Sequence, residues 1–74
     1  MKLTDEQEAI LSGALRTSTN AITRLRSHIL LLVSQGFSAA RIQHLASVEP
    51  GQIADAVEKF HEGGIRAIVP RPQD

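Results

Sequence analysis

The sequence contains no cysteine, tryptophan or tyrosine, and only two phenylalanines. The absence of cysteine excludes disulfide bonds and metal sites built from thiolates. With so few aromatic rings the core must consist of aliphatic side chains, and we expect its stability to be marginal. The length of 74 residues allows one small domain, without room for a catalytic domain beside a binding domain.

Long apolar segments are also lacking. The longest apolar run, Ile29 to Val33, has five residues, whereas a membrane-spanning helix needs about 20. The N-terminus shows no basic stretch followed by an apolar core, so no secretion signal is predicted. The three histidines are scattered, and no nucleophile, base and orienting group occur at catalytic spacing. We therefore expect a cytoplasmic protein that is not an enzyme and holds neither metal nor cofactor.

The charges sum to zero but are separated along the chain. Residues 9–48 carry four arginines and no acid, whereas residues 49–62 carry four acids and one lysine. The acids of the second segment are Glu49, Asp55, Glu58 and Glu62. A positive surface attracts nucleic-acid phosphates at short range. The middle of the chain can supply such a surface, and the acidic segment that follows would oppose it.

Capping residues and apolar periodicity predict an all-α fold with helices at about residues 5–16, 20–35, 39–46 and 50–62. Thr4 and Gln7 have the spacing of a capping box at the start of the first helix. Ser38 is expected to cap the third helix, and Pro50 occupies the first position of the fourth. No segment has a clear strand pattern.

The second predicted helix is apolar on several sides and is expected to be central. Ser18 or Thr19 is expected to cap its start, and Gly36 its end. Residues 65–74 are predicted to form a short packing segment that continues as an extended C-terminal tail. The predicted core consists of apolar residues at helical spacing: Leu11, Leu15, Ile22, Leu25, Ile29, Leu32, Ile42, Leu45, Val48, Ile53, Val57 and Phe60.

The third and fourth predicted helices are separated by a tight turn around Ser47 and Val48. Two short helices joined in this way predict a helix-turn-helix, which places its second helix in the DNA major groove. Further motifs occur in a defined order: Leu3-Thr4, Arg24-Leu25-Arg26, Gly36-Phe37-Ser38, Ile53, Phe60, Gly64-Ile65 and Arg71-Pro72. In this order they resemble the N-terminal domain of IS630-type transposases and related small regulators. The resemblance implies a four-helix homeodomain-like fold and DNA binding.

The chain departs from this family in its fourth predicted helix. The family's arginine- and lysine-rich outer face is replaced here by Gln52, Asp55, Glu58, Lys59 and Glu62. Ser47 stands where the family has a turn glycine, and Ala56 where it has a large aromatic residue. In the family, the Arg71-Pro72 motif leads into a catalytic RNase H-like domain, whereas this sequence ends two residues after the motif. We therefore expect an isolated binding domain or a small stand-alone protein, which does not itself catalyse transposition.

The arginines of the second and third predicted helices are candidate phosphate contacts. Arg24 and Arg26 lie near the start of the second helix, and Arg41 lies on the outer side of the third. The alternative for each is a solvated surface side chain. Gln52, in the first turn of the fourth helix, has the amide chemistry that pairs with adenine. The backbone N–H groups of Gly51 and Gln52 could also bind an anion, although the negative charge of Glu49 would weaken that binding.

The remaining candidate DNA contacts are Lys59, Arg66 and Arg71. Arg71 stands between two prolines, which hold the backbone extended, so its side chain could enter an adjacent minor groove. The alternative is an untethered terminus.

Three hypotheses for function follow. The leading one is a DNA-binding module of modest affinity, either transposase-type or a small transcriptional regulator, which would associate with the nucleoid. The second is a protein-interaction module of the same fold, in which Asp55, Glu58 and Glu62 bind a basic partner and DNA binding is lost. The third is a remnant without activity. The apolar run in the second helix also leads us to expect a homodimer.

Overall fold

The computed structural model describes residues 1–70, and the predictions for residues 71–74, including Arg71 as a DNA contact, lie outside this range. Within it the fold is all-α, as predicted, with five helices. They are α1 (Asp5–Thr17), α2 (Ala21–Ser34), α3 (Ala39–Ala46), α4 (Pro50–Gly63) and α5 (Ile65–Ile68). The bounds of the first four differ from the prediction by at most one residue at either end.

Local hydrogen bonds explain where α1 and α3 begin. The Thr4 hydroxyl accepts from the backbone N–H of Gln7 at 3.0 Å, and the Gln7 side-chain oxygen accepts from the Thr4 N–H at 3.0 Å. This reciprocal capping box satisfies two N–H groups that have no partner within the helix. The Ser38 hydroxyl likewise accepts from the Arg41 N–H at 3.2 Å. Both predicted caps are confirmed.

The predicted cap of α2 is wrong by one or two positions. Asn20 is the N-cap, and its side-chain oxygen accepts from the N–H groups of Ile22 and Thr23 at 2.9 and 3.1 Å. Ser18 instead accepts from the Asn20 N–H at 3.2 Å, within the turn before the helix. Because α2 begins at Ala21, its first free N–H groups lie within reach of the Asn20 amide and beyond that of Ser18.

Helix α2 is the centre of the fold, as predicted, and it packs against each of the other four helices. Ile29, Leu30, Leu31 and Leu32 are all buried within the single chain. Four of the five residues of the apolar run that suggested a homodimer are thus covered within one chain, and the homodimer itself stays a prediction. Helices α3 and α4 contact each other as well as α2, so α2, α3 and α4 form a mutually packed group of three.

The connection between α3 and α4 consists of residues 47–49. Ser47 adopts the left-handed conformation, with φ 55° and ψ 50°, which ends α3 and turns the chain. Val48 follows with 7% of its surface exposed, and its N–H donates to the Gln43 carbonyl at 3.2 Å. Val48 thus fixes the turn to the core, as predicted.

Two members of the predicted core are exposed. Ile22 is 57% exposed in the first turn of α2, where it lines an open groove together with Gln52 and Asp55 of α4. Leu45 is 43% exposed near the end of α3, although Ile42 on the same helix is buried. The buried side of the eight-residue α3 is narrow, and Leu45 lies on its flank.

Residues 65–68, the predicted packing segment at the start of the C-terminal tail, form the additional helix α5, which was not predicted. Gly64, with φ 70°, is the C-cap that ends α4, and α5 then packs against α4 and α2. Ile68 and Val69 are only 1% and 2% exposed. The apolar residues before Pro70 are stabilised by burial in this helical turn. Only the packing role of this segment was anticipated.

Candidate nucleic-acid interface

The outer side of α4 is the exposed acidic surface that the sequence predicts. Because a helix turns once every 3.6 residues, the buried Ile53 and Ala56 point to one side. The residues on the opposite side are exposed and carry three carboxylates. We call this surface the acidic face; it consists of Asp55, Glu58 and Glu62.

The first turn of α4 carries the predicted base-reading residue, Gln52, which is exposed together with Gly51. The side-chain oxygen of Gln52 accepts from the Glu49 N–H at 2.8 Å and so stabilises the helix start. A bidentate contact with adenine needs this oxygen as well as the amide nitrogen. Gln52 therefore uses at the helix start the same oxygen that an adenine contact would need. Glu49 itself is the N-cap and places a negative charge where an anion would approach.

The structure brings Arg26 and Asp55 together. Nη2 of Arg26 on α2 lies 3.4 Å from Oδ2 of Asp55 on α4, and the two side chains are 27% and 54% exposed. This is the one ion pair within residues 1–70. Sequence reasoning assigned Arg26 to a phosphate and Asp55 to an acidic surface. It missed their contact because no local spacing links residues so far apart in the chain.

The other predicted arginine of α2 has a different contact. The guanidinium group of Arg24 donates to the backbone carbonyl of Ser18 and is half-buried. Arg24 therefore stabilises the turn between α1 and α2 by donating a hydrogen bond to a carbonyl within that turn. The predicted phosphate contact of Arg24 would have to use the remaining N–H groups of its guanidinium.

Two predicted cations are more accessible. Arg41 on α3 and Arg66 on α5 are exposed, and neither side chain makes a hydrogen bond or ion pair within residues 1–70. Lys59 on α4 is half-buried and likewise unpaired within that range. These three side chains come from three helices, so the available positive charge is dispersed. The acidic face, in contrast, is continuous along one helix.

A groove of about 190 Å³ separates the first half of α2 from the first half of α4. Its apolar lining comes from α2, and its polar rim contains both members of the ion pair. The lining residues are Ile22, Leu25, Arg26, Ile29, Gln52 and Asp55. Gln52 and Arg26 thus share one surface region, which the sequence did not indicate.

Two further observations concern only residues 1–70. No three histidine or acidic side chains lie close enough together to hold a metal ion. None of the five helices has the length and apolar character needed to cross a membrane.

Comparisons with known protein families, with curated proteins and with solved structures give no match to this chain. The resemblance to transposase domains and the homeodomain-like arrangement therefore stay predictions from the sequence. The functional conclusions below rest on the geometry of the helices and on the chemistry of their exposed residues.

Proposed function

We propose that the protein is a helix-turn-helix DNA-binding module of modest affinity, related to the binding domains of IS630-type transposases or to small regulators. The observation that carries the proposal is the three-residue connection between α3 and α4, in which Ser47 is left-handed and Val48 is buried. Mutual packing of α2, α3 and α4 fixes the angle between α3 and α4 and leaves one side of α4 exposed. Such a helix is suited to enter a major groove.

The proposed contacts are distributed around α4. Gly51 and Gln52 in its first turn would approach the bases, and Lys59 would lie further along the same helix. Arg41 on α3 and Arg66 on α5 are exposed and would contact phosphates on either side of the groove. Arg26 would join them once it is released from Asp55.

The acidic face explains why the proposed affinity is modest. Its three carboxylates would lie near phosphates in any pose that inserts α4 into the groove. Two unit charges at short range with intermediate screening repel by on the order of 1 kcal/mol or more. The few accessible cations must overcome this repulsion, so binding should be detectable mainly at low salt.

A salt titration of binding to a mixed-sequence duplex tests the proposal. Arg41→Ala should weaken binding severalfold and reduce the slope of log K against log salt by about 0.9, the value for one lost phosphate contact. The matched control is Arg16→Ala, which removes another exposed arginine from α1. Equal effects of the two substitutions, or no binding by the parent at low salt, would contradict the proposal.

The acidic face favours a second candidate, a protein-interaction module. Only Asp55 of its three carboxylates is paired within residues 1–70, so Glu58 and Glu62 are available to a basic partner. In this case a lysine-rich helical peptide should bind the protein, and Glu58→Gln with Glu62→Gln should abolish that binding. Peptide binding without any binding to duplex DNA at low salt would favour the second candidate over the first.

A further inference from the structure

We propose that Asp55 competes with DNA for Arg26, so that the ion pair between them masks a phosphate contact until a duplex displaces the carboxylate. This inference rests on the proposed DNA-binding function and concerns how DNA binding by the same surface is regulated.

The position of the pair supports this role. Arg26 and Asp55 lie 3.4 Å apart on the rim of the groove that Gln52 also lines. Gln52 is in the first turn of α4, the end of the helix that would meet the bases. The guanidinium group of Arg26 therefore lies beside the surface that would face the duplex.

The pair is also weak enough to exchange. Nη2 of Arg26 makes one long contact with Oδ2 of Asp55, whereas arginine binds carboxylates most tightly through two parallel hydrogen bonds. Both side chains are partly exposed, and water screens the attraction between them. A phosphate group offers the same guanidinium an equivalent set of oxygen acceptors. DNA binding would then replace one ion pair with another.

This exchange has a measurable consequence for salt dependence. When Arg26 neutralises a phosphate, a counterion leaves the DNA, but the released Asp55 carboxylate attracts a cation from solution. The two effects oppose each other, so Arg26 should add little to the salt slope while Asp55 is present. Removal of the Asp55 charge should restore the full contribution of Arg26 to the salt slope of duplex binding.

The other acids of α4 provide the matched comparison. Glu58 is exposed on the same face, one turn or less from Asp55, but it has no ion pair within residues 1–70. It can oppose DNA only through repulsion. Asp55→Asn and Glu58→Gln each remove one negative charge with little change in size, and only the first releases Arg26.

The experiment measures duplex binding by these two variants with Arg26 intact and with Arg26→Ala. Glu58→Gln should raise affinity about twofold at low salt through reduced repulsion. Asp55→Asn should raise it about threefold to tenfold, because release of Arg26 from an exposed ion pair multiplies the twofold gain by up to about fivefold. Its salt slope should also steepen by about 0.9, the value for one phosphate contact. In the Arg26→Ala background, Asp55→Asn should raise duplex affinity only about twofold, as Glu58→Gln does.

The outcomes separate the masking from the proposed function. Equal gains from Asp55→Asn and Glu58→Gln, unchanged by Arg26→Ala, would overturn the masking and leave DNA binding in place. Absence of duplex binding by the parent and by every variant, each shown by circular dichroism to be helical, would overturn the DNA-binding function and the masking with it.

Discussion

Helices α2 and α4 each have 14 residues, yet they occupy opposite positions in the fold. Helix α2 contacts all the other helices and has five buried residues, whereas α4 has two. The buried residues of α2 are Ser27, Ile29, Leu30, Leu31 and Leu32, and those of α4 are Ile53 and Ala56. Equal length therefore conceals different roles: α2 holds the other helices together, and α4 presents a surface.

This difference determines where substitutions should affect stability and where they should affect binding. A helix surrounded by others has few positions that tolerate change, because protein interiors are close-packed. A helix with one exposed side can carry charges that serve recognition without a large cost in stability. The following predictions test that division, beginning with the largest expected effect.

Leu30→Ala should lower the free energy of unfolding by about 2–5 kcal/mol, the usual cost of truncating a buried leucine. Leu30 is fully buried at the centre of α2, so its removal leaves a cavity between helices. Thermal or urea unfolding measures the effect. The control is Ile22→Ala on the same helix, where the side chain is 57% exposed and the loss should be well under half as large. Similar losses at the two positions would contradict the central role of α2.

Ala56→Leu should destabilise the fold by about 1–3 kcal/mol, because added methyl and methylene groups strain a packed core. Ala56 is fully buried on the inner side of α4. The identical substitution at the exposed Ala54, two residues earlier, is the control and should change stability by at most a few tenths of a kcal/mol. If Ala54→Leu were as harmful, α4 would not have the free side assigned to it.

Glu58→Lys combined with Glu62→Lys should strengthen duplex binding about tenfold or more at low salt, equivalent to about 1.4 kcal/mol. Both residues are exposed on the acidic face, and the substitutions leave the pair of Arg26 and Asp55 intact. The control reverses two exposed acids on α1, with Glu6→Lys and Glu8→Lys. It makes the same change in net charge and should gain less than about threefold. Equal gains would show that α4 has no special orientation toward DNA.

The helix starts could be predicted where one residue decides the local geometry. Thr4 and Ser38 accept hydrogen bonds within their own segments, and Pro50 has a backbone angle already suited to a helix start. Apolar periodicity likewise placed Ile29 and Leu32 of α2 in the core, where both are buried. Such signals are readable because cause and effect lie within a few residues of each other.

Contacts between distant segments were not predictable in this way. Periodicity indicates which side of a helix is apolar, but not how far its neighbours extend, so Ile22 and Leu45 were assigned to the core although both are exposed. The candidate site shows the same limit. Its arginines were identified from composition, whereas the engagement of Arg26 by Asp55 and of Arg24 by the Ser18 carbonyl depends on the packing of separate elements.

The burial of Ile68 and Val69 has a consequence for the order of events during synthesis. Helices α1 and α2 are adjacent in the chain and can pair early, but α5 contacts α2 only after all of α4 has been made. The core around α2 is thus incomplete until residue 69 has emerged from the ribosome. A chain interrupted after α4 would expose apolar surface on its central helix, and it would be a substrate for chaperones and proteases rather than a smaller stable domain.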